Sequence, residues 1–239
     1  MHPVIAKIGP FTIYSYGMMV TIAFLFGIFI AKAEAVRKNI KPDLVYDLGF
    51  YLLIGSIIGA RIYYILFFGL KDFLAEPASI FKVWQGGLAI HGGIFGGVIT
   101  GIIFSNARKI SFWALADLIA PSIILGQAIG RIGCFLNGCC FGMPMIKPLF
   151  GMECHPTQIY ELILNFIGFL LLWNLRKKIK FEGGLFLLYL MTYGVIRMIV
   201  SRFRADNVYL WNTALTLADL ASILMFIIAM ILFIKRRHD

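Results

Sequence analysis

The chain has 239 residues, 60% of them hydrophobic and 14% charged, with a formal charge of +10. A soluble domain of this length cannot cover that much apolar surface with polar residues, so composition excludes that class and predicts an all-α integral membrane protein. The positive charge does not argue for nucleic acid, because the cations flank apolar runs, where a membrane protein meets anionic headgroups.

At the start, MHPVIAKIGP sets a proline and a glycine where the apolar core of a signal peptide would begin, so the first span is expected to stay in the protein. Seven runs then have the length a helix needs to cross hydrocarbon, without the strict alternation of a barrel strand. They cover roughly residues 14 to 36, 44 to 68, 88 to 105, 112 to 130, 158 to 175, 183 to 202 and 214 to 234. Lys32, Arg37, Lys38 and Lys41 follow span one, Arg108 and Lys109 span three, and Arg176, Lys177, Lys178 and Lys180 span five; Lys235, Arg236 and Arg237 follow span seven. The opposite turns hold Lys7, Lys71, Lys82, Arg131, Lys147, Arg202 and Arg204. This excess predicts an N-terminus outside and a C-terminus in the cytoplasm. Without a linker, low-complexity tract or repeat, residues 1–239 read as one polytopic membrane domain.

Small residues recur at helical spacing in Gly55 and Gly59, in Gly93, Gly97 and Gly101, and in Gly126 and Gly130, which predicts close helix packing. Arg61 and Arg197 fall inside spans, where a charge costs about 2.5–3.5 kcal/mol and needs a partner, a wet cavity or a task. With the N-terminus outside, both lie toward the outer leaflet, as do His91 at the mouth of span three and Arg131 where span four is expected to break. Tyr16, Asn137, His155, Gln158, Glu161 and Arg204 fall at the same level. One such arginine could simply lift its head to the surface; the set reads as a site for an anionic phosphate, which arginine forks hold bidentately. His91 is followed by Gly92 and Gly93, which let another backbone or a headgroup approach it. An imidazole suits proton removal near neutral pH, with capping or packing as the alternative.

Cys134, Cys139, Cys140 and Cys154 admit three readings: packing, redox pairing, or a covalent relay through Cys139. A metal held by these cysteines with His155 is disfavoured by the Cys-x4-Cys-Cys spacing, so neither a metal nor a cofactor is expected. In HPTQIYE, Thr157 is a candidate N-cap for span five, while Gln158 and Glu161 are expected to line a cavity.

The motifs HGGIFGG (91–97), GRIGCFLNGCCFG (130–142) and HPTQIYE (155–161), in this order on a seven-span plan, resemble those of bacterial prolipoprotein diacylglyceryl transferases. Members of that family are inner-membrane enzymes. They move the diacylglyceryl group of phosphatidylglycerol onto the lipobox cysteine of a prolipoprotein signal peptide and release glycerol phosphate. The resemblance implies catalytic roles for His91, Arg131 and Tyr16. Gly130, Gly133, Phe135, Asn137 and Gly142 fit the signature, and Arg61, Asp117, Arg197 and Arg204 resemble polar positions lining the lipid cavity, so Arg61, Asn137, Gly142, Gln158, Glu161, Arg197 and Arg204 are expected to bind substrate. The chain departs from the family pattern in three places. Cys134 replaces an asparagine, Cys139 replaces a glutamate, and Ser201 stands where a glutamate is expected. The outer segment from Met143 to Cys154 is also short. These departures keep two alternatives open: a phosphatidylglycerol-dependent transferase with another acceptor, or a non-enzymatic lipid-binding or carrier protein.

Overall fold

A computed structural model describes residues 2–9, 11–149, 152–210, 213 and 215–238. Among them seven helices are long and apolar enough to cross a membrane. They are α1 (Ser15–Arg37), α2 (Asp43–Phe67), α4 (Ile90–Arg108), α5 (Phe112–Asn137), α6 (Thr157–Leu175), α7 (Gly184–Ser201) and α8 (Leu217–His238). A short helix α3 (Leu70–Ala75) and two 3-10 turns join α2 to α4. Two antiparallel hairpins that hydropathy does not announce complete the structure: β1 (Val4–Ile8) with β2 (Phe11–Tyr14), and β3 (Pro144–Leu149) with β4 (Met152–Cys154). The protein is therefore a multi-pass, predominantly helical membrane protein.

The fourth span differs from expectation. It does not break at Arg131 but continues to Asn137. Gly130 and Gly133 sit inside the helix, and the chain turns only at Gly138, whose positive φ of 74° is the left-handed geometry that stops helices.

The residues group into two compact units, one from the N-terminal strands to Ala33 and from Ala116 onward, the other from Glu34 to Leu115. In the second, α2 and α4 pack backbone against backbone. A Cβ added to Gly59 would lie 2.4 Å from the Gly92 carbonyl oxygen and 2.8 Å from the Gly96 Cα. Only glycine permits this approach. The same expectation does not hold for Gly126 and Gly130, around which an added Cβ would meet nothing within 4 Å.

In the first unit, Ile30 of α1, Ala120, Ile124 and Leu125 of α5, Phe169 and Leu172 of α6, and Leu185, Tyr189, Ile196 and Val200 of α7 form the core. Half of the apolar windows of α5 and α7 is buried, against 17% for α8, which leaves most of α8 to lipid. Two caps set helix starts. Asp117 Oδ2 accepts the Gly183 N–H at 3.0 Å and Oδ1 the Phe186 N–H at 2.9 Å, so a carboxylate from α5 satisfies orphan donors at the head of α7. At α8, Thr216 N–H donates to Asp219 Oδ2 at 3.1 Å and Asp219 N–H to Thr216 Oγ1 at 3.0 Å, a reciprocal capping box.

Candidate active site

The site is built where α5 ends and α6 begins. Beyond Gly138 the chain turns back: Gly142 N–H donates to the His155 carbonyl at 2.8 Å, Met143 N–H to that of Phe203 at 2.8 Å, and His155 N–H to that of Met143 at 3.0 Å. A Cβ on Gly142 would lie 2.1 Å from the Phe203 oxygen and 2.8 Å from the His155 Cβ, so this glycine is the point where three segments meet. Gly142 therefore has a structural role here.

The first turns of α6 hold this loop. Thr157 Oγ1 donates to the Cys140 carbonyl at 2.7 Å, and Gln158 Nε2 donates to the Cys139 carbonyl. Thr157 is thus no N-cap: the cap position is Pro156, with no side-chain cap bond, and Thr157 is the first helical residue. Gln158, expected in a cavity wall, is 1% exposed and anchors the cysteine loop.

Glu161 lies one turn further along that face, 2% exposed. Its Oε1 accepts Arg131 Nη2 at 2.7 Å. Its Oε2 lies 3.9 Å from Arg197 Nη1 and 3.9 Å from Arg204 Nη1. Arg204 in turn grips Asp206, Nε to Oδ1 at 2.7 Å and Nη2 to Oδ2 at 2.5 Å. That fork raises the Arg204 pKa above its ordinary value and holds the Asp206 carboxyl below the usual carboxylate range. Three guanidiniums against two carboxylates leave one net positive charge. Among the described residues Arg197 has no closer polar contact than its 3.9 Å to Glu161, and Arg131 Nη1 meets only Cys134 Sγ at 3.9 Å. Donors are thus available for an anion.

Tyr16, half-exposed in the first turn of α1, comes close to Gly133: a Cβ there would lie 3.3 Å from the Tyr16 Cδ2. Asn137 is the exposed last residue of α5. His155 stacks with Phe203 at 5.1 Å and its Nδ1 is 3.2 Å from the Tyr160 hydroxyl, an aromatic clamp beside Gly142. Cys134, Cys139 and Cys140 converge, their Sγ atoms all within 4.8 Å of one another. Burial, then the contact with Cys139, pushes the Cys140 thiol up.

Two expected cavity residues have structural partners of their own. Arg61 is buried in the other unit, where Nε donates to the Ile80 carbonyl at 3.2 Å, Nη1 to those of Gly86 at 2.7 Å and Gly87 at 3.1 Å, and Nη2 to that of Ser79. Its fork is filled by a loop, not open to a lipid. Asp117 is fourteen positions before Arg131 on the same helix, roughly 20 Å away at 1.5 Å per residue, and caps α7. His91 is exposed at the start of α4 with its ring 6.1 Å from that of Tyr63. The approach that Gly92 allows is used by the backbone of α2, 2.3 Å from a Cβ at that position.

Comparison with known proteins shows the family. Residues 3–235 match the family described as prolipoprotein diacylglyceryl transferase. The chain belongs to that family. Proteins named phosphatidylglycerol–prolipoprotein diacylglyceryl transferase are 38% identical in Halalkalibacterium halodurans, over 98% of this chain and 86% of the relative, and 40% identical in Geobacillus kaustophilus, over 98% and 92%. The one from Nostoc sp. is 41% identical over 87% of this chain and 80% of its own.

Two acids that the sequence reading passed over lie beside Ser201 and Arg204. Ser201 Oγ donates to Asp219 Oδ1 at 2.5 Å, so a carboxylate from α8 arrives where a glutamate on α7 was expected. Asp206, two residues beyond Arg204, pairs with it. The signals were present but weak: an acid close after a cation in a short turn, and an acid in the first turn of an apolar span. Asn165, fully buried one turn beyond Glu161, was also missed.

Proposed function

We propose that this protein transfers the diacylglyceryl group of phosphatidylglycerol to the lipobox cysteine of a prolipoprotein signal peptide, at the outer leaflet of the inner membrane. The N-terminus then lies outside and the C-terminus in the cytoplasm, a reading supported by the excess of lysine and arginine in the turns after spans one, three, five and seven. The observation that carries the reading is the convergence of Arg131, Arg197 and Arg204 on the single carboxylate of Glu161.

The chemistry follows from charge. A new carbon–sulfur bond forms while the bond from the glycerol carbon to the phosphate oxygen breaks, and the electron pair leaves on glycerol phosphate. The phosphate passes from one negative charge toward two, so guanidiniums already in place stabilise the transition state more than the ground state. Arg131 and Arg197 have donors to offer it. The attacking thiol, with a free pKa near 8.5, must lose its proton. His91 takes that proton in this account and Tyr16 helps to orient the sulfur; the family motifs support both roles.

A second reading, transfer of the same group to another acceptor, is favoured by the loss of signature polar residues at Cys134, Cys139 and Ser201. Supplying the protein to cells depleted of their own transferase, and following lipid attachment to lipoproteins, separates the two. Restored attachment supports the lipobox acceptor; consumption of phosphatidylglycerol without it supports the other.

A further inference from the structure

The three cysteines at the end of α5 are unused by the mechanism above, and their geometry is specific. Cys134 lies on the last turns of the helix; Cys139 and Cys140 follow its terminus. Neighbouring side chains in an extended chain point to opposite sides. Here Gly138 and Cys140 both adopt positive φ, 74° and 66°, and the two adjacent sulfurs lie 3.3 Å apart. A left-handed non-glycine residue is costly and persists only where its surroundings hold it. The holding contacts are present. The Cys139 N–H donates to the Cys134 carbonyl at 3.2 Å, and Thr157 and Gln158 bind the carbonyls of Cys140 and Cys139.

We propose that Cys134, Cys139 and Cys140 form a three-thiolate site for a thiophilic metal ion, Zn2+. Their sulfurs all lie within 4.8 Å of one another, with the closest pair at 3.3 Å. Metal–sulfur bonds of about 2.3 Å require sulfurs roughly 3.8–4.0 Å apart, within that range, so rotation of the thiol side chains closes the site. Three thiolates select soft cations over Mg2+ or Ca2+. Arg131 Nη1, 3.9 Å from the Cys134 sulfur, offsets the negative charge such a centre carries with Zn2+. The sequence spacing alone argued against a metal; the turn at Gly138 is what brings Cys134 into reach of the pair. This site does not depend on the transferase reading.

The test is thiol protection. Protein purified anaerobically in detergent under reducing conditions is alkylated with and without one equivalent of Zn2+, and each cysteine peptide is quantified by mass spectrometry. Zinc is expected to slow alkylation of Cys134, Cys139 and Cys140 at least tenfold while leaving Cys154 unchanged. Cys134→Ser and, separately, Cys139→Ser, each checked for folding by gel filtration, are expected to abolish protection of the remaining two. Equal alkylation rates with and without zinc, protection that survives both substitutions, or a Cys139–Cys140 disulfide that persists in the reduced protein overturns the proposal.

Discussion

Arg131 Nη2 lies 2.7 Å from Glu161 Oε1, and this pair, one partner from α5 and the other from α6, is the hinge on which the cation cluster is assembled. Glu161 is almost wholly buried and also faces Arg197 and Arg204. Removing its charge leaves three guanidiniums repelling one another in a low-dielectric setting.

Glu161→Gln is therefore expected to destabilise the detergent-solubilised protein by about 3–5 kcal/mol, the usual result of leaving a buried charge without its partner. The Arg131→Gln/Glu161→Gln double variant should recover part of that loss. Thermal unfolding of wild type, the Arg131→Gln and Glu161→Gln single variants and the double variant checks it, and an unchanged midpoint for Glu161→Gln contradicts the arrangement.

The pair of Arg204 and Asp206 carries a pH signature. Asp206 has its folded pKa lowered, first by the hydrogen bond from Arg204. Its contribution is fully present above the ordinary aspartate value of about 3.9 and is lost as pH falls through the lower folded value. Because Asp206 is mostly exposed, the contribution is screened to under about 1 kcal/mol. The midpoint difference between wild type and Asp206→Asn should stay constant from neutral pH down to about 5 and shrink below about 4.

Two glycines on neighbouring segments should respond in opposite ways. Gly142→Ala drives a methyl group to 2.1 Å from the Phe203 carbonyl oxygen and is expected to lower stability and loosen the loop that carries Cys139 and Cys140. Gly126→Ala meets open space inside α5 and is expected to be neutral or stabilising by about 0.5–1 kcal/mol through helix propensity. Parallel melting curves test both signs.

Arg61 holds the connection between α3 and α4 through four N–H groups on backbone carbonyls. Lysine cannot reproduce that fork. Arg61→Lys is expected to speed tryptic cleavage at Lys82 severalfold, and an unchanged rate contradicts the assignment.

Much of this was legible in the sequence. Hydropathy located all seven spans, because about twenty apolar residues in a row have few other uses, and the cost of a buried charge singled out Arg61 and Arg197, with Arg131 and Arg204 grouped beside them by depth. The end of α5 was not legible: the fourth span was expected to break at Arg131, yet inside a bilayer the backbone keeps its hydrogen bonds and the helix continues to Asn137. Asp117 was misplaced because closeness to the signature in the chain becomes roughly 20 Å along a helix. The convergence of the cysteines depends on the left-handed turns at Gly138 and Cys140, and the anchoring role of Gln158 on a carbonyl nineteen residues away, neither of which spacing reveals.

The most direct measurement is the rate at which purified protein moves labelled diacylglyceryl from phosphatidylglycerol to a lipobox peptide, compared between wild type and an Arg131→Ala variant confirmed to be folded. The account predicts thioether-linked label on the peptide with equimolar glycerol phosphate for wild type, and a rate about 10²–10³ lower for the variant. Equal rates for the two proteins, or no transfer by the wild type to any thiol offered, would contradict it.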